Sequence, residues 1–197
     1  MKKKQNSNVK NVIILVVLVV LVVGYFIYLS NKTPTSTEED IKLTAIQEVT
    51  TRNLDNDYPP TPKEVVKYYS DIMKCLYSDN GFTDEEFEAM ADKMLALYDD
   101  ELLEINPRDF YLVNLKADID SFKEDNKAII SYTPSASTDV ETSTINGREC
   151  AKLYCTYKIR VGTDYIKSKE VYELRKDSDG HWKILGFKLA DEEETEE

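Results

Sequence analysis

Residues 148–161 read RECAKLYCTYKIRV and decide the fold class, because apolar and polar side chains alternate along the whole segment. Successive side chains of a β-strand point to opposite faces of a sheet, so the segment predicts a long strand with one buried face. The predicted buried face carries Ala151, Leu153, Cys155, Tyr157, Ile159 and Val161. The predicted outer face carries Cys150, Lys152, Tyr154, Thr156, Lys158 and Arg160.

Turn sequences separate this strand from neighbours of the same period. Asn146-Gly147 is the strongest two-residue hairpin signal, and 162–164 (GTD) and 177–180 (DSDG) predict two further turns. The predicted strands are 127–133, 140–145, 148–161, 165–175 and 181–189. Together they indicate a curved antiparallel sheet of about five strands.

Three helix starts precede the strands, each followed by apolar residues at helical spacing. They are Thr61-Pro62-Lys63-Glu64, Thr83-Asp84-Glu85-Glu86 and Asn106-Pro107-Arg108-Asp109. Helices first and hairpins afterwards predict an α+β fold, with the three helices packed on one face of the sheet. We expect residues 61–190 to form this domain, since about 130 residues is an ordinary domain size.

The other end of the chain predicts a membrane anchor. Residues 12–29 form an uncharged apolar run, long enough as a helix to cross a hydrocarbon core of about 30 Å. Residues 1–11 carry Lys2, Lys3, Lys4 and Lys10, so the positive-inside rule predicts a cytoplasmic N-terminus and an extracytoplasmic C-terminal part. We therefore expect a single-pass protein of the cell membrane. A cleaved secretory signal and a soluble buried helix are the alternatives.

Two polar segments flank the predicted domain. Residues 30–60 are expected to form a juxtamembrane linker, with a short helix over 38–52 after the capping sequence that starts at Thr37. Residues 191–197 (DEEETEE) form an acidic tail. We interpret this tail as a frayed, solubilising segment, with a cation- or partner-binding segment as the alternative.

The charge distribution argues against two classes of partner, nucleic acids and anionic membrane surfaces. The chain has 25 basic and 37 acidic residues and a net charge of −12, and the four N-terminal lysines lie before the apolar run. All the acidic residues follow the run, so the exported part is more acidic than the whole chain. Such a charge repels phosphate backbones and anionic headgroups. We expect no nucleic-acid partner and no second membrane contact.

The last hairpin suggests a superfamily. Residues 171–187 read VYELRKDSDGHWKILGF: a strand, an Asp/Gly turn, then Trp182-Lys183-Ile184 and Gly186-Phe187. This ending resembles that of the nuclear-transport-factor-two-like (cystatin-like) superfamily. Residues 58–182 also resemble small membrane-anchored proteins of Gram-positive bacteria with no assigned activity. The resemblance implies a cone with an open end that relatives use as an isomerase-, cyclase- or dehydratase-like enzyme site, as a ligand site, or not at all.

No constellation of catalytic or metal-binding residues is visible. His181 is the one histidine and adjoins a predicted turn, and the three cysteines lack the paired spacing of a zinc site. The acidic clusters at 84–88 and 99–101 lack calcium-loop spacing, so we expect both to be solvated. No glycine-rich phosphate loop is present. We predict no enzyme activity, no cofactor and no metal.

The cysteines leave a disulfide open. Cys150 and Cys155 point to opposite faces of one strand, so they are not expected to pair with each other. Cys75 lies on the first of the three capped helices, and a Cys75–Cys150 or Cys75–Cys155 bridge is compatible with an exported domain. We predict three reduced cysteines.

One surface stands out on the acidic domain. Lys152, Tyr154, Lys158 and Arg160 form a basic, aromatic stripe that is either an ordinary solvated face or a binding surface. We predict a membrane-anchored, extracytoplasmic binding or scaffold module that contacts a protein at the cell envelope. The alternatives are a small-ligand-binding or isomerase/dehydratase-like pocket domain, and an accessory or sensor subunit of a secretion or transport complex. A deep pocket with a Tyr or Asp against apolar walls would favour the pocket domain, whereas a core filled by Phe110, Phe122, Tyr157 and Trp182 would exclude it.

Overall fold

The computed structural model describes residues 43–190. The basic N-terminus (1–11), the predicted anchor (12–29), the first part of the linker and the acidic tail (191–197) lie outside this range. Within it, no helix combines the length and the apolar character needed to cross a membrane.

The described residues form an α+β fold, as predicted. The helices are α1 (Ala45–Thr51), α2 (Pro62–Leu76), α3 (Asp84–Ala96), α4 (Asp100–Ile105) and α5 (Arg108–Glu124). The strands are β1 (Lys127–Pro134), β2 (Glu141–Ile145), β3 (Arg148–Val161), β4 (Asp164–Lys176) and β5 (Trp182–Leu189). The strands form one antiparallel sheet, so the predicted five-stranded antiparallel sheet is confirmed.

Strand β3 organises the sheet. β4 pairs with one edge of β3 from Cys150 to Val161, whereas β2 and β1 share the other edge, at residues 148–152 and 155–161 respectively. β5 then pairs with β4 from Glu170 to Lys176. The β2–β3 turn has φ of 51° at Asn146 and 78° at Gly147, the left-handed conformation that this hairpin requires.

The helix starts agree with the sequence at two positions and differ at the third. Thr61 Oγ1 accepts from Glu64 N, and Thr83 forms a full capping box with Glu86. Asn106 does not cap α5, since Pro107 is the N-cap residue and no side chain bonds there. The Asn106 side chain instead donates to Leu102 O at the end of α4, a helix that the sequence analysis did not predict.

The remaining helix, α1, lies within the range 38–52 where a short helix is predicted. It begins after Thr44, whose side chain forms a capping box with Gln47. Tyr68 on α2 donates to Val49 O at 2.6 Å, and Val49 is buried. This contact joins α1 to the core of the domain.

The core lies between the helices and one face of the sheet, which we call the inner face. It contains Ala151, Leu153, Cys155 and Tyr157 of β3, with Tyr69 and Tyr172 among its largest fully buried side chains. Of the expected core aromatics, Tyr157 and Trp182 are buried and Phe122 is half-buried. The expectation for Phe110 is wrong: it is 60% exposed, because α5 turns Leu115 and Ile119 towards the core instead.

Candidate functional site

The outer face of the sheet gathers lysines from three strands. β3 contributes Lys152 and Lys158, and the register places Lys169 opposite Thr156 and Lys167 opposite Lys158. On β5, Lys188 is opposite Val171, which itself pairs with Tyr154. We call this surface the lysine face, and it comprises Lys152, Lys158, Lys167, Lys169 and Lys188 with Tyr154 and Tyr165. Two glutamates, Glu141 and Glu173, lie directly opposite Lys152 at one end of this face, so the uncompensated charge is concentrated around Lys158 and Lys167.

Aromatic rings lie among these ammonium groups. The Nζ atom of Lys169 is 4.3 Å from the centre of the Tyr154 ring, and that of Lys152 is 5.3 Å from it. Lys158 Nζ is 4.3 Å from the centre of the Tyr165 ring. Each such cation–π contact stabilises by about 0.5–1 kcal/mol at an exposed site. The rings therefore help to hold several positive charges on one surface.

Two of the lysines oppose each other directly. Lys158 and Lys167 are partners across the β3–β4 ladder, and both are exposed. Like charges at directly opposite positions destabilise a sheet. Packing and stability therefore do not account for this pair, and a local conflict of this kind is expected at binding sites.

Arg160 differs from the other three residues of the predicted stripe. Its Nη2 is 2.5 Å from Asp79 Oδ1, and its Nη1 donates to Gly162 O at 3.3 Å. The guanidinium is therefore held in an ion pair at the end of the hairpin. The structure brings Lys152, Tyr154 and Lys158 together on the lysine face and keeps Arg160 at its margin.

Three of the five lysines, Lys167, Lys169 and Lys188, were not predicted to belong to the stripe. The alternation of β4 (DYIKSKEVYELRK) puts Lys167 and Lys169 on one face of that strand. The strand sequence alone does not say which face of the sheet this is, because that depends on the register with β3. The register of β3 with β4, and of β4 with β5, therefore brings three further lysines beside the predicted stripe, and the sequence of a single strand could not predict this.

A depression of about 270 Å³ adjoins the lysine face, and apolar side chains such as Ile145 and Leu185 line it together with Cys150, Lys152, Glu141 and Glu173. Ile145 is 57% exposed. Cys150 lies on the outer face as predicted, but it is buried there. The three cysteines, Cys75, Cys150 and Cys155, are free thiols, in agreement with the prediction.

At the β4–β5 turn end of the outer face, basic groups have a buried acidic partner. Asp99 is only 2% exposed, and Arg175 donates to its carboxylate at 2.5 and 3.1 Å. Arg148 Nη2 lies 3.6 Å from the same carboxylate. Burial alone would raise the pKa of Asp99, but hydrogen bonds from Arg175 and Glu101 N and the neighbouring positive charges lower it. The expectation of a solvated 99–101 cluster is therefore wrong at Asp99.

A comparison with protein families places the chain. Residues 1–187 match a family described as Domain of unknown function (DUF6715). The chain belongs to this family. No curated protein matches the chain. The family description assigns no activity, so the chemistry of the surfaces carries the functional argument.

The inner face holds a chain of buried hydroxyl groups. Ser70 Oγ and Tyr157 Oη are 2.7 Å apart, and Tyr157 and Tyr172 are hydrogen-bonded at 2.7 Å. Tyr172 donates to Glu170 Oε2 at 2.7 Å. Burial raises the pKa of both tyrosines, and burial also raises that of Glu170 although the Tyr172 hydroxyl opposes the effect. The hydroxyls therefore stay protonated and satisfy one another within the core.

The single histidine has a structural environment. The His181 ring stacks on Tyr58 with ring centres 4.3 Å apart, and Tyr58 donates to Trp182 O. Nδ1 of His181 lies 3.9 Å from Asp177 Oδ2. Among residues 43–190, no group of three His, Cys, Asp or Glu side chains is arranged to hold a metal ion.

A groove of about 710 Å³ lies between α1 and α2, next to the first residues that the structure describes. Its lining includes charges of both signs, among them Glu48, Arg52, Asp71 and Lys74. Burial raises the pKa of Tyr68 in its wall to about 12, although the nearby Arg52 opposes the shift. Because the groove carries charges of both signs, it indicates no particular class of ligand, whereas the lysine face favours an acidic one.

Proposed function

We propose that the chain is a membrane-anchored, extracytoplasmic binding or scaffold module, and that its lysine face binds an acidic segment of a protein at the cell envelope. The observation that carries the proposal is the collection of five lysines and two tyrosines on one face of a chain whose net charge is −12, with glutamates at the ladder positions opposite only one of the five, Lys152, in the described sheet. The directly opposed Lys158 and Lys167 cost stability, which favours a role in binding.

Charge favours a short acidic segment over an extended polyanion. Exposed charges act over about 8 Å at physiological ionic strength, so a short segment on the lysine face interacts mainly with the lysines. A nucleic acid or an anionic bilayer extends beyond the face and meets the acidic remainder of the domain. The partner is therefore a protein segment rich in Asp and Glu.

The neighbouring surface supports a mode of binding. The described part of β5 pairs with β4 only from Glu170, which leaves residues 164–168 of β4 at a sheet edge. An extended segment can add to such an edge through main-chain hydrogen bonds while its side chains meet the sheet face. The depression beside Ile145 offers space for an apolar side chain of the partner.

The anchor and the superfamily belong to the same proposal. Residues 12–29 hold the domain outside the membrane, and the domain is a nuclear-transport-factor-two-like cone in which three helices, α2, α3 and α5, cover the sheet. Tyr69, Tyr157 and Tyr172 fill its interior. This filled interior supports a non-catalytic role, in which the cone is a rigid support for its outer face.

Photo-crosslinking in cells tests the proposal. A photoreactive benzoylphenylalanine replaces Thr156, at the centre of the lysine face, and in a control chain it replaces the exposed Asp120 on α5. We expect a protein adduct only from position 156, with the crosslink in a partner peptide rich in Asp and Glu. If the crosslinked partner is a subunit of a secretion or transport complex, the chain is an accessory subunit of that complex. No adduct, the same adduct from both positions, or a partner peptide without acidic residues contradicts the proposal.

A second candidate function is small-ligand binding on the inner face, and Glu170 favours it. This half-buried carboxyl group of raised pKa adjoins exposed apolar side chains at the end of the sheet, since Leu189 is its partner on β5 and Phe187 stacks on Tyr172. Such a site suits an apolar ligand with one polar group. A thermal-shift screen with apolar amines and alcohols tests it: stabilisation of the native chain that Glu170→Gln abolishes supports this function, and no stabilisation excludes it.

A further inference from the structure

The chain leaves the described fold beside the lysine face. Ala190 follows β5, and its N–H donates to Lys169 O on β4 at 2.9 Å. Lys169 is also the residue whose ammonium group lies over the Tyr154 ring. Ala190, the last residue that the structure describes at this end, is therefore held beside Lys169 at the edge of the lysine face.

The charge of these seven residues complements that of the face. The segment DEEETEE contains six acidic residues, and the lysine face contains five lysines and, opposite Lys152, two glutamates. It has no basic residue and no apolar residue. Opposite charge densities of this size attract at short range and steer association.

The length of the segment matches the dimensions of the face. Seven extended residues span about 23 Å at about 3.3 Å per residue. Lys158 lies two residues along β3 from Thr156, the partner of Lys169, which is about 7 Å. Lys152 lies four residues in the other direction, about 13 Å away. Every lysine of the face is within reach of the segment.

We infer that residues 191–197 dock on the lysine face and occupy it in competition with the acidic partner. The segment presents the same chemistry as the proposed partner and is attached at the edge of the site. A tethered segment acts at an effective concentration in the millimolar range. It can therefore displace a partner that binds the lysine face weakly, even if its own contacts with the face are no stronger than those of the partner. The contact itself is independent of the proposed function, whereas its role as a competitor rests on that function.

Carbodiimide crosslinking of the full chain tests the contact, because this reagent joins a carboxylate to an amine only where the two groups meet. We expect crosslinks from residues 191–197 to Lys158, Lys167 or Lys169, identified by mass spectrometry. A mixture of isotopically heavy and light chains separates crosslinks within one chain from those between two. Crosslinks to lysines of the helices, crosslinks only between chains, or none from this segment overturn the inference.

Competition is tested with the segment as a free probe. A fluorescently labelled DEEETEE peptide is titrated into the native chain and into a variant in which Asp191→Asn and the five glutamates of the segment→Gln remove its charge. We expect the peptide to bind the neutralised variant at least about tenfold more tightly, because its tethered competitor is gone. Adding Lys158→Glu and Lys167→Glu to that variant should abolish binding. Equal binding to native and neutralised chains overturns the inference.

The two proposals fail separately. Intramolecular crosslinks to the lysine face, together with no adduct from position 156 even when the segment is neutralised, support the docked segment and contradict the proposed function. An adduct between position 156 and an acidic partner peptide, without crosslinks from residues 191–197, supports the proposed function and contradicts the docked segment. If the segment is a competitor, its neutralisation should also raise the yield of the position-156 adduct, and an unchanged yield contradicts that role.

Discussion

The two faces of β3 use similar residue types for different purposes. On the inner face, Tyr157 is buried and its hydroxyl bonds to Ser70 and Tyr172, so each polar group has a partner within the core. On the outer face, the Tyr154 ring contacts two ammonium groups and is only half-buried. The inner tyrosines hold the fold together, whereas the outer one belongs to a surface that concentrates charge.

The basic residues of the sheet also divide into those that have a fixed acidic partner and those that face another basic residue. Arg175 and Arg148 share the buried carboxylate of Asp99, and Arg160 is held by Asp79. Lys158 and Lys167, by contrast, face each other across the ladder. Basic groups with a fixed acidic partner belong to the structure of the domain. Basic groups that repel one another are the ones we assign to binding.

The largest expected effect is a difference in stability between substitutions at two adjacent residues that point to opposite faces of β3. Leu153→Ala on the inner face should lower the free energy of unfolding by about 3 kcal/mol, since it leaves a cavity in the core. Lys152→Ala, one residue earlier on the outer face, should lower it by less than about 1 kcal/mol. Urea unfolding measures both, and equal losses would contradict the assignment of the faces.

A pair of hydroxyl deletions gives a smaller effect of the same kind. Tyr157→Phe removes the link between Ser70 and Tyr172 in the core and should cost about 1–3 kcal/mol, because buried partners lose a hydrogen bond. Tyr154→Phe keeps the ring that the lysines contact and should change stability by less than about 0.5 kcal/mol. Thermal unfolding of the two variants checks this, and a larger loss at Tyr154 contradicts it.

The inner face should also make stability depend on pH. Burial raises the pKa of Glu170 in the folded chain, so the folded state binds the proton more tightly than the unfolded state does. The stability contributed by protonated Glu170 is present at acidic pH and is lost as the pH rises through the raised pKa. Glu170→Gln cannot titrate, so its stability relative to the native chain should increase from pH 4 to pH 8. Urea midpoints across this range measure the difference, and a constant difference contradicts the burial effect.

The smallest expected effect on stability has the most direct bearing on the outer face. Lys167→Glu places opposite charges across the ladder from Lys158, leaves the contact of Lys158 with Tyr165 in place, and should stabilise the chain by about 0.2–1 kcal/mol. The same substitution should weaken binding of an acidic partner. A melting temperature that rises while partner capture falls distinguishes a binding lysine from a structural one, and a destabilised variant contradicts this assignment.

Local sequence signals predict most of the fold. The alternation of β3, the Asn146-Gly147 hairpin and the caps at Thr61 and Thr83 each depend on residues close in the sequence. α4 was missed because Asp99, its N-cap residue, belongs to a run of carboxylates that also suits a solvated surface.

The candidate site was only partly predictable, because it depends on contacts between distant residues. Arg175 and Asp99 are 76 residues apart, and Lys167 joins Lys158 only through the register of β3 with β4. Arg160 has the same place in the alternation as Lys158, but its ion pair with Asp79 depends on a loop 81 residues earlier. Periodicity assigns a residue to a face of its own strand and does not identify its partners on other elements.

The yield of the adduct from position 156 in two charge-matched variants tests the central claim most directly. Lys158→Glu/Lys167→Glu changes the lysine face, whereas Lys63→Glu/Lys67→Glu makes the same change of charge on α2, on the helical side of the sheet. We predict a loss of about tenfold or more in the first variant and a nearly native yield in the second, because contact with a specific charged surface outweighs net charge. Equal yields in the native chain and both variants would contradict a binding role for the lysine face.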